Sequence, residues 1–333
     1  MQSDVSEDPI VSVIINCLNG ERFLADAVES AIGQTFDNWE VIIWDNASTD
    51  NTSEIAKQYS HNPKIKYFRG DTTIPLSSAR NHAFRQSKGR YIAILDCDDV
   101  WLAEKLERQV ALFEKDDDVG LVYCDSSMFD DQGDRCRLFQ TATPRRGRVF
   151  GELLSGNFIF TSTMMIRRTS LQSLDCIFDE SYTRVQDYEL SLRLAYKFKF
   201  DYVDQPLCRW RMYQEDPNWV KWKNSLIPRV VEVQACVDKL VRKHPDIECL
   251  YKDQLNDLYK SLDYGFAINA WADDNVQQAR RYLKGHLSDK KFLLVYLFTF
   301  YLKYNQFVWL KTMVRNNVTR RPHAPNLQIQ SAE

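Results

Sequence analysis

The apolar positions of the first 125 residues follow two alternating rhythms. Short unbroken apolar runs occupy Val11 to Ile15, Val41 to Trp44, Tyr91 to Leu95 and Leu121 to Cys124, as expected of strands buried on both faces of a parallel sheet. Between them Phe23, Leu24, Ala27, Val28, Ala31 and Ile32, and later Leu102, Leu106, Val110 and Phe113, recur at helical spacing. Strand alternating with helix predicts a doubly wound α/β sheet, in which ligands bind beyond the carboxyl ends of the strands.

Asp125 to about Arg148 is polar and broken at Gly133 and Pro144, so it reads as a connecting excursion of extended or loop character. Gly151 to Arg168 returns to strand-like text, and Asp187 to Phe198 places Leu190, Leu194, Ala195 and Phe198 on one helical face. Beyond about Glu215 the pattern changes to long amphipathic helices around Ile227 to Arg242, Leu250 to Ala272 and Lys290 to Val314. Phe292 to Leu302 is too short and interrupted to span a bilayer. Two readings of it stay open: a helix packed on the catalytic domain, or peripheral contact with a membrane surface through aromatics flanked by lysines. The expected organisation is a disordered N-terminus (1–8), a catalytic domain (9–215, halves 9–125 and 126–215), a helical C-terminal extension (216–318) and a disordered tail (319–333).

A formal net charge of -3 and a pI near 6.0 leave no general cationic field, so nucleic acid is not expected as a partner. The eight cysteines are scattered singly without a CxxC, and Met1 to Pro9 holds three acids and no apolar run. Both point to a reducing cytosol and a cytoplasmic location. No GxGxxG occurs, Gly151 to Asn157 has P-loop spacing but asparagine where lysine is needed, the five histidines show no ligand spacing, and no Gly-x-Ser-x-Gly is present. Dinucleotide, P-loop, zinc and serine-hydrolase chemistries are thereby set aside.

The sharpest local signal is Leu95-Asp96-Cys97-Asp98-Asp99, three carboxylates in four positions after an apolar strand. Such charges repel unless a cation holds them, and hard oxygens suit Mg²⁺ or Mn²⁺ together with substrate phosphates. Asp99 has a simpler reading as the cap of the helix near Leu102. A second signal is Trp44-Asp45-Asn46-Ala47-Ser48-Thr49-Asp50, a strand running into small polar residues; Asp45 there can serve a base or ribose, while Thr49 or Asp50 caps the next helix.

Taken in order, these motifs resemble glycosyltransferase family 2, the inverting nucleotide-sugar glycosyltransferases of the A-type fold, over roughly the first 215 residues. The likeness runs through Val11-Ser12-Val13-Ile14-Ile15 with Asn19-Gly20, Ser30 to Phe36, Glu40 to Asp50, Ala79-Arg80-Asn81, Gly89 to Leu95 and the acidic cluster. It implies a Rossmann-like nucleotide-diphospho-sugar transferase fold. It also implies that Asp96 and Asp98 hold the metal, that Asp45 faces the base and Arg80 the diphosphate, and that Cys17, Asn19, Ser48 and Arg211 line the donor side. The family's base opens a helix after the acceptor-side strands, a place matched by Gln186-Asp187-Tyr188-Glu189-Leu190; this makes Asp187 the general base, with a helix cap as its alternative. Thr161 and Ser162 fall on the acceptor side.

The resemblance implies transfer of one sugar from a nucleoside-diphosphate sugar, UDP-linked by preference, to a polysaccharide or lipid-linked glycan acceptor. Two departures bear on it. Asn16-Cys17-Leu18 lacks the aromatic that members place before Asn19, and Trp210-Arg211-Met212-Tyr213 has tyrosine where members often have a metal-reaching histidine, so metal affinity is expected to be weaker or absent. Rival readings are a sugar nucleotidyltransferase, which lacks its usual Gly-rich basic loop here, and a sugar- or nucleotide-binding module without turnover.

Overall fold

The computed structural model describes residues 8–212 and 226–310. The expectations for residues 1–7, for Tyr213, for the end of the last helix and for the tail lie outside them. In chain order the strands are β1 (Val11–Cys17), β2 (Trp39–Asp45), β3 (Ile65–Arg69), β4 (Tyr91–Asp96), β5 (Val100–Trp101), β6 (Val119–Asp130), β7 (Gly133–Arg137), β8 (Met165–Arg167) and β9 (Lys199–Arg211). The helices that concern the site are α1 (Leu24–Ile32), α2 (Thr52–Gln58), α3 (Leu76–Gln86), α4 (Lys105–Phe113), α5 (Phe150–Ser155), α6 (Arg168–Gln172) and α7 (Gln186–Lys197).

The strands form one mixed sheet in the order β3-β2-β1-β4-β8-β6-β9-β5, with β7 paired to β6. β3, β2, β1 and β4 are mutually parallel, β8 is antiparallel to β4 and β6, and β9 runs parallel to β6. Every residue of β1 and β2 is buried because helices cover both faces. Alternation then divides the work. Val11, Val13, Ile15 and Cys17 meet Leu24, Ala27, Val28 and Ala31 of α1 and Leu106, Val110 and Phe113 of α4 in the main core, while α3 packs on β1 and β2 from the other side.

At the opposite end from the site, Glu40 ties the parallel strands together. Its carboxylate accepts hydrogen bonds from Ser12 Oγ, the Lys88 backbone N–H and Lys66 Nζ, each 2.6 Å long, and Gly89 N donates to Ser12 Oγ. Gly89 has to be glycine, because a Cβ there would overlap the backbone of Ser12.

Two expectations are corrected and one is narrowed. The acidic cluster follows the third apolar run but ends the fourth strand: β3 is a short, half-exposed edge strand whose Lys66 and Arg69 break the apolar run. The polar stretch from Asp125 takes the extended form of the two expected for it, since β6 continues to Asp130 and the chain returns as β7 from Gly133 at φ +107°. Gly151 to Arg168 is mostly not strand: α5 and a 3-10 turn at Thr161–Thr163 precede three residues of β8, because a short apolar pair such as Leu153-Leu154 fits a helical turn as well as a strand.

By compactness the chain divides into residues 1–258 and 259–333. Helices Leu226–Lys243 and Asp246–Leu250 belong to the first unit. There Glu232 accepts bonds from the backbone N–H groups of Thr183, Arg184 and Val185 and from Thr183 Oγ1, so its carboxylate holds the turn that leads into α7. The second unit has its own core of Trp271, Ala279, Leu283, Phe292, Val295 and Phe307. Its helix Lys290–Tyr301 stops sooner than expected, at an extended Leu302. Among the described residues no helix is long and apolar enough to cross a membrane.

Candidate active site

Asp96, Arg80 and Asp187 reach one space from three elements. Asp96 is the last residue of β4, with a side chain 35% exposed, and its Oδ1 accepts a 2.7 Å bond from Arg80 Nη2 on α3. The Arg80 side chain is only 3% exposed and its guanidinium lies 5.5 Å from the ring of Phe178. Its Nε and Nη1 are buried with no hydrogen-bond partner among the described residues. A buried cation with donors unused is costly, so those N–H groups call for oxygens that the described residues do not supply.

Asp187 is the second residue of α7, and the cap position itself is Val185, so Asp187 is not the cap residue. Thr161 Oγ1 stands 3.5 Å from its carboxylate, at the outer limit of a hydrogen bond. Burial pushes the Asp187 carboxyl above the ordinary carboxylate range, Arg80 pulls it back, and the charge of Asp96 raises it again. A carboxylate desolvated in this way accepts a proton more readily than a surface aspartate.

Beneath the cluster lies a polar support. Asp99 is 1% exposed; one oxygen accepts from Ser162 Oγ at 2.5 Å and the other from the Arg211 backbone N–H at 3.0 Å. Ser162 Oγ in turn accepts from Asp96 N, and Trp101 Nε1 donates to Ser162 O. Asp99 therefore does not cap the following helix, which starts at Lys105 after Glu104. Burial first, then the charges of Asp98 and Asp96, hold its carboxyl well above the usual range. Ser162 is buried under the acidic cluster, whereas Thr161 beside it reaches Asp187.

Arg211 closes the other flank. Its guanidinium is sandwiched between the rings of Phe23 and Phe129 at 4.2 and 4.5 Å, Nε donates to the Asp98 carbonyl, and Nη2 pairs with Asp26. These contacts tie β9 to the turn that carries Asp98. At the end of β2, Asp45 is fully buried and accepts from Ser48 N, Tyr67 Oη and Arg69 Nη1. Asn19, at φ +55°, receives Thr49 N on its Oδ1 and donates its own N–H to Ser48 Oγ, which staples the β1 and β2 loops together. Cys17 is buried, hydrogen-bonded to the thiol of Cys97, and together with burial and the flanking Asp98 and Asp96 it keeps that thiol well above its ordinary range. His82 of α3 stacks on Trp44 of β2.

Sequence reasoning missed Glu232, Tyr67, Arg69, Asp26 and Trp101. None stands in a motif; each matters only through a contact made by folding. A groove between Asn81, Phe84, Leu174 and Phe178 shares no residue with the acidic cluster and is a separate feature.

Residues 12–175 match the sequence profile described as Glycosyl transferase family 2. A Bacillus subtilis (strain 168) protein named as a glycosyltransferase, EpsE, is 34% identical over 192 residues, which cover 57% of this chain and 68% of that protein. The chain belongs to glycosyl transferase family 2. An Escherichia coli protein named UDP-Glc:alpha-D-GlcNAc-diphosphoundecaprenol beta-1,3-glucosyltransferase, WfgD, shares 36% identity over 109 residues, 33% of this chain and 43% of its own. Among solved structures, Staphylococcus aureus TarS 1–349 with UDP-GlcNAc superposes with TM-score 0.55 at 14% identity, covering 84% of this chain and 91% of that one. The Pyrobaculum calidifontis mannosyltransferase PcManGT with GDP-Man and Mn²⁺ gives TM-score 0.59 at 16% identity, over 95% and 89% of the chains. The fold of this glycosyltransferase is the A-type fold expected from its motifs.

At the end of β4, Asp96 offers a part-exposed carboxylate of the kind a divalent cation takes. No group of three or more candidate ligands comes together among the described residues. Mg²⁺ and Mn²⁺, however, are held in transferase sites by one or two carboxylates with substrate phosphates and water completing the shell. The upward push that Asp98 and Asp96 exert on Asp99 records a concentration of negative charge that a cation would relieve.

Proposed function

We propose that this glycosyltransferase is an inverting, non-processive hexosyltransferase. In this reading it moves one sugar from a nucleoside-diphosphate sugar, UDP-linked by preference, to a hydroxyl of a polysaccharide or lipid-linked glycan. The observation that carries the reading is the convergence of a proton-hungry Asp187, an Arg80 with unused donors and the Asp96 carboxylate on one space. Asp187 takes the acceptor hydroxyl's proton as the new oxygen–anomeric carbon bond forms. The bond from that carbon to the diphosphate oxygen breaks, and its electron pair leaves with the diphosphate. Nε and Nη1 of Arg80 receive that developing charge. Asp96 and Asp98 would hold Mn²⁺ or Mg²⁺, which when bound neutralises diphosphate charge. One displacement with no protein nucleophile inverts the anomeric centre.

The donor preference draws on TarS with UDP-GlcNAc and on the name of WfgD, while PcManGT with GDP-Man shows that the fold also takes another base. WfgD's name also supports a lipid-diphosphate-linked acceptor. Eight free cysteines support a reducing, cytoplasmic compartment. The catalytic domain is proposed to run through residue 215, with its donor half ending near residue 125.

The test is a panel of UDP- and GDP-sugars with and without Mn²⁺, read as donor binding by thermal shift and as sugar transfer. Asp187→Asn should retain donor binding and lose transfer by about 10²–10⁴-fold. Transfer by Asp187→Asn at the wild-type rate would remove the assigned base, and binding without transfer by the wild type under all donors would favour a binding module.

A further inference from the structure

The second unit carries an apolar helix with one side uncovered. In Lys290–Tyr301, Phe292, Val295 and Thr299 face the unit's core, whereas Leu293, Leu294, Leu297, Phe300 and Tyr301 are 40%, 52%, 46%, 51% and 82% exposed. Their spacing, i, i+1, i+4, i+7 and i+8, puts them on one helical face. Trp309, in the segment after the break at Leu302, is 65% exposed. A contiguous bare patch of large apolar side chains is uncommon on a monomeric protein surface and marks a contact surface.

Charge says what covers it. Residues 259–333 hold 11 Lys and Arg against 5 Asp and Glu, although the whole chain is net -3, so positive charge is concentrated in the part that bears the bare helix. Lys290 and Lys291 stand exposed at the helix start and Lys303 just past its end. Arg280 lies 3.6 Å over Phe300. An apolar face bordered by cations and carrying tyrosine and tryptophan matches the boundary between acyl chains and anionic headgroups. At about 18 Å the helix is too short to cross a bilayer and has the length of one that lies in the plane.

We propose that the Leu293-Leu294-Leu297-Phe300-Tyr301 face docks this chain on an anionic lipid surface, with the helix parallel to that surface. It deepens the reading above, resting on it only for the statement that a lipid-borne acceptor is met there; docking itself needs neither donor nor acceptor.

The full chain is co-sedimented with vesicles of phosphatidylcholine alone and of phosphatidylcholine mixed with phosphatidylglycerol, without donor or acceptor. Retention is expected on the mixed vesicles and is expected to fall with salt. Leu294→Gln with Leu297→Gln, and separately Lys290→Glu with Lys303→Glu, should each weaken retention by about tenfold or more. All four side chains are exposed, and an unchanged melting temperature checks that the fold is kept. No retention of the wild type, or retention indifferent to both variants, overturns the proposal. So does a concentration-dependent dimer in sedimentation velocity that the leucine variant dissolves, since the face would then be covered by a second copy. Because the vesicles contain no substrate, loss of transfer activity in the panel above leaves this result standing, and the reverse also holds.

Discussion

Arg80 pairs with Asp96 at 2.7 Å and, from the same buried position, draws down the proton affinity of Asp187. One guanidinium thus contacts the proposed metal carboxylate, acts on the proposed base and, through Nε and Nη1, is proposed to meet the departing diphosphate. Its placement on α3 rather than on a loop gives it a fixed orientation.

Removing that cation should show in the pH profile. As the proposed base, Asp187 must be ionised to act, so activity is expected to fall on the acid side as it takes up a proton. Arg80→Gln removes a charge that lowers its pKa, so the acid limb of kcat/KM should move to higher pH. Donor KM should rise about 10- to 100-fold as well. The check is a pH–rate profile of both forms; an unmoved limb would separate Arg80 from the base.

Glu232 should act on the base at a distance. Its carboxylate gathers three successive backbone N–H groups just before α7. Glu232→Ala is expected to lower kcat more than it raises donor KM, by about tenfold, because the acceptor-side carboxylate loses its fixed entry turn. Glu232→Gln should recover part of the loss. Equal changes in kcat and KM for both variants would argue for a general loss of folded protein instead.

Ser162 is expected to support the metal site without touching substrate. Ser162→Ala leaves Asp96 N without its acceptor and a buried Asp99 without its short bond. A cost of about 1–3 kcal/mol in stability and a weaker response of donor binding to Mn²⁺ should follow. Calorimetric melting and titration of donor with Mn²⁺ read the two effects separately.

Glu40 sets an acid limit on stability. Burial raises its pKa, but bonds from Lys66, Ser12 and Lys88 N outweigh that and hold it below the ordinary 4.5. With the folded value depressed, its stabilisation is present above the unfolded pKa and disappears as pH falls through the folded one. Glu40→Gln should flatten the stability–pH curve in that acid window. Glu40→Ala, which strands Ser12 and Lys88 N, should cost about 2–4 kcal/mol at neutral pH by denaturant unfolding.

Much of this site was legible before folding was considered. The apolar runs of β1, β2 and β4 are long enough to read as buried strands, and Asp96, Asp98 and Arg80 stand in motifs with recognisable spacing. β3 and β9 were not legible. The first is a short edge strand broken by cations, and the second mixes Asp201, Asp204 and Pro206 into its alternation and pairs with irregular register. Arg69, and the contacts of Arg211 with Phe23, Phe129, Asp98 and Asp26, could be placed only afterwards.

The chain's own order of residues determined which segments would be buried strands, where the carboxylates would cluster and which acid would open α7, because these depend on local period and on neighbours a few positions away. Tertiary structure alone decided that Asp99 would serve Ser162 and Arg211 from positions 63 and 112 residues distant, that Glu232 would hold the approach to Asp187, and that one side of the Lys290–Tyr301 helix would stay bare. Hydrogen bonds and burial between distant segments are set by how the elements pack, and no local pattern of residues records them.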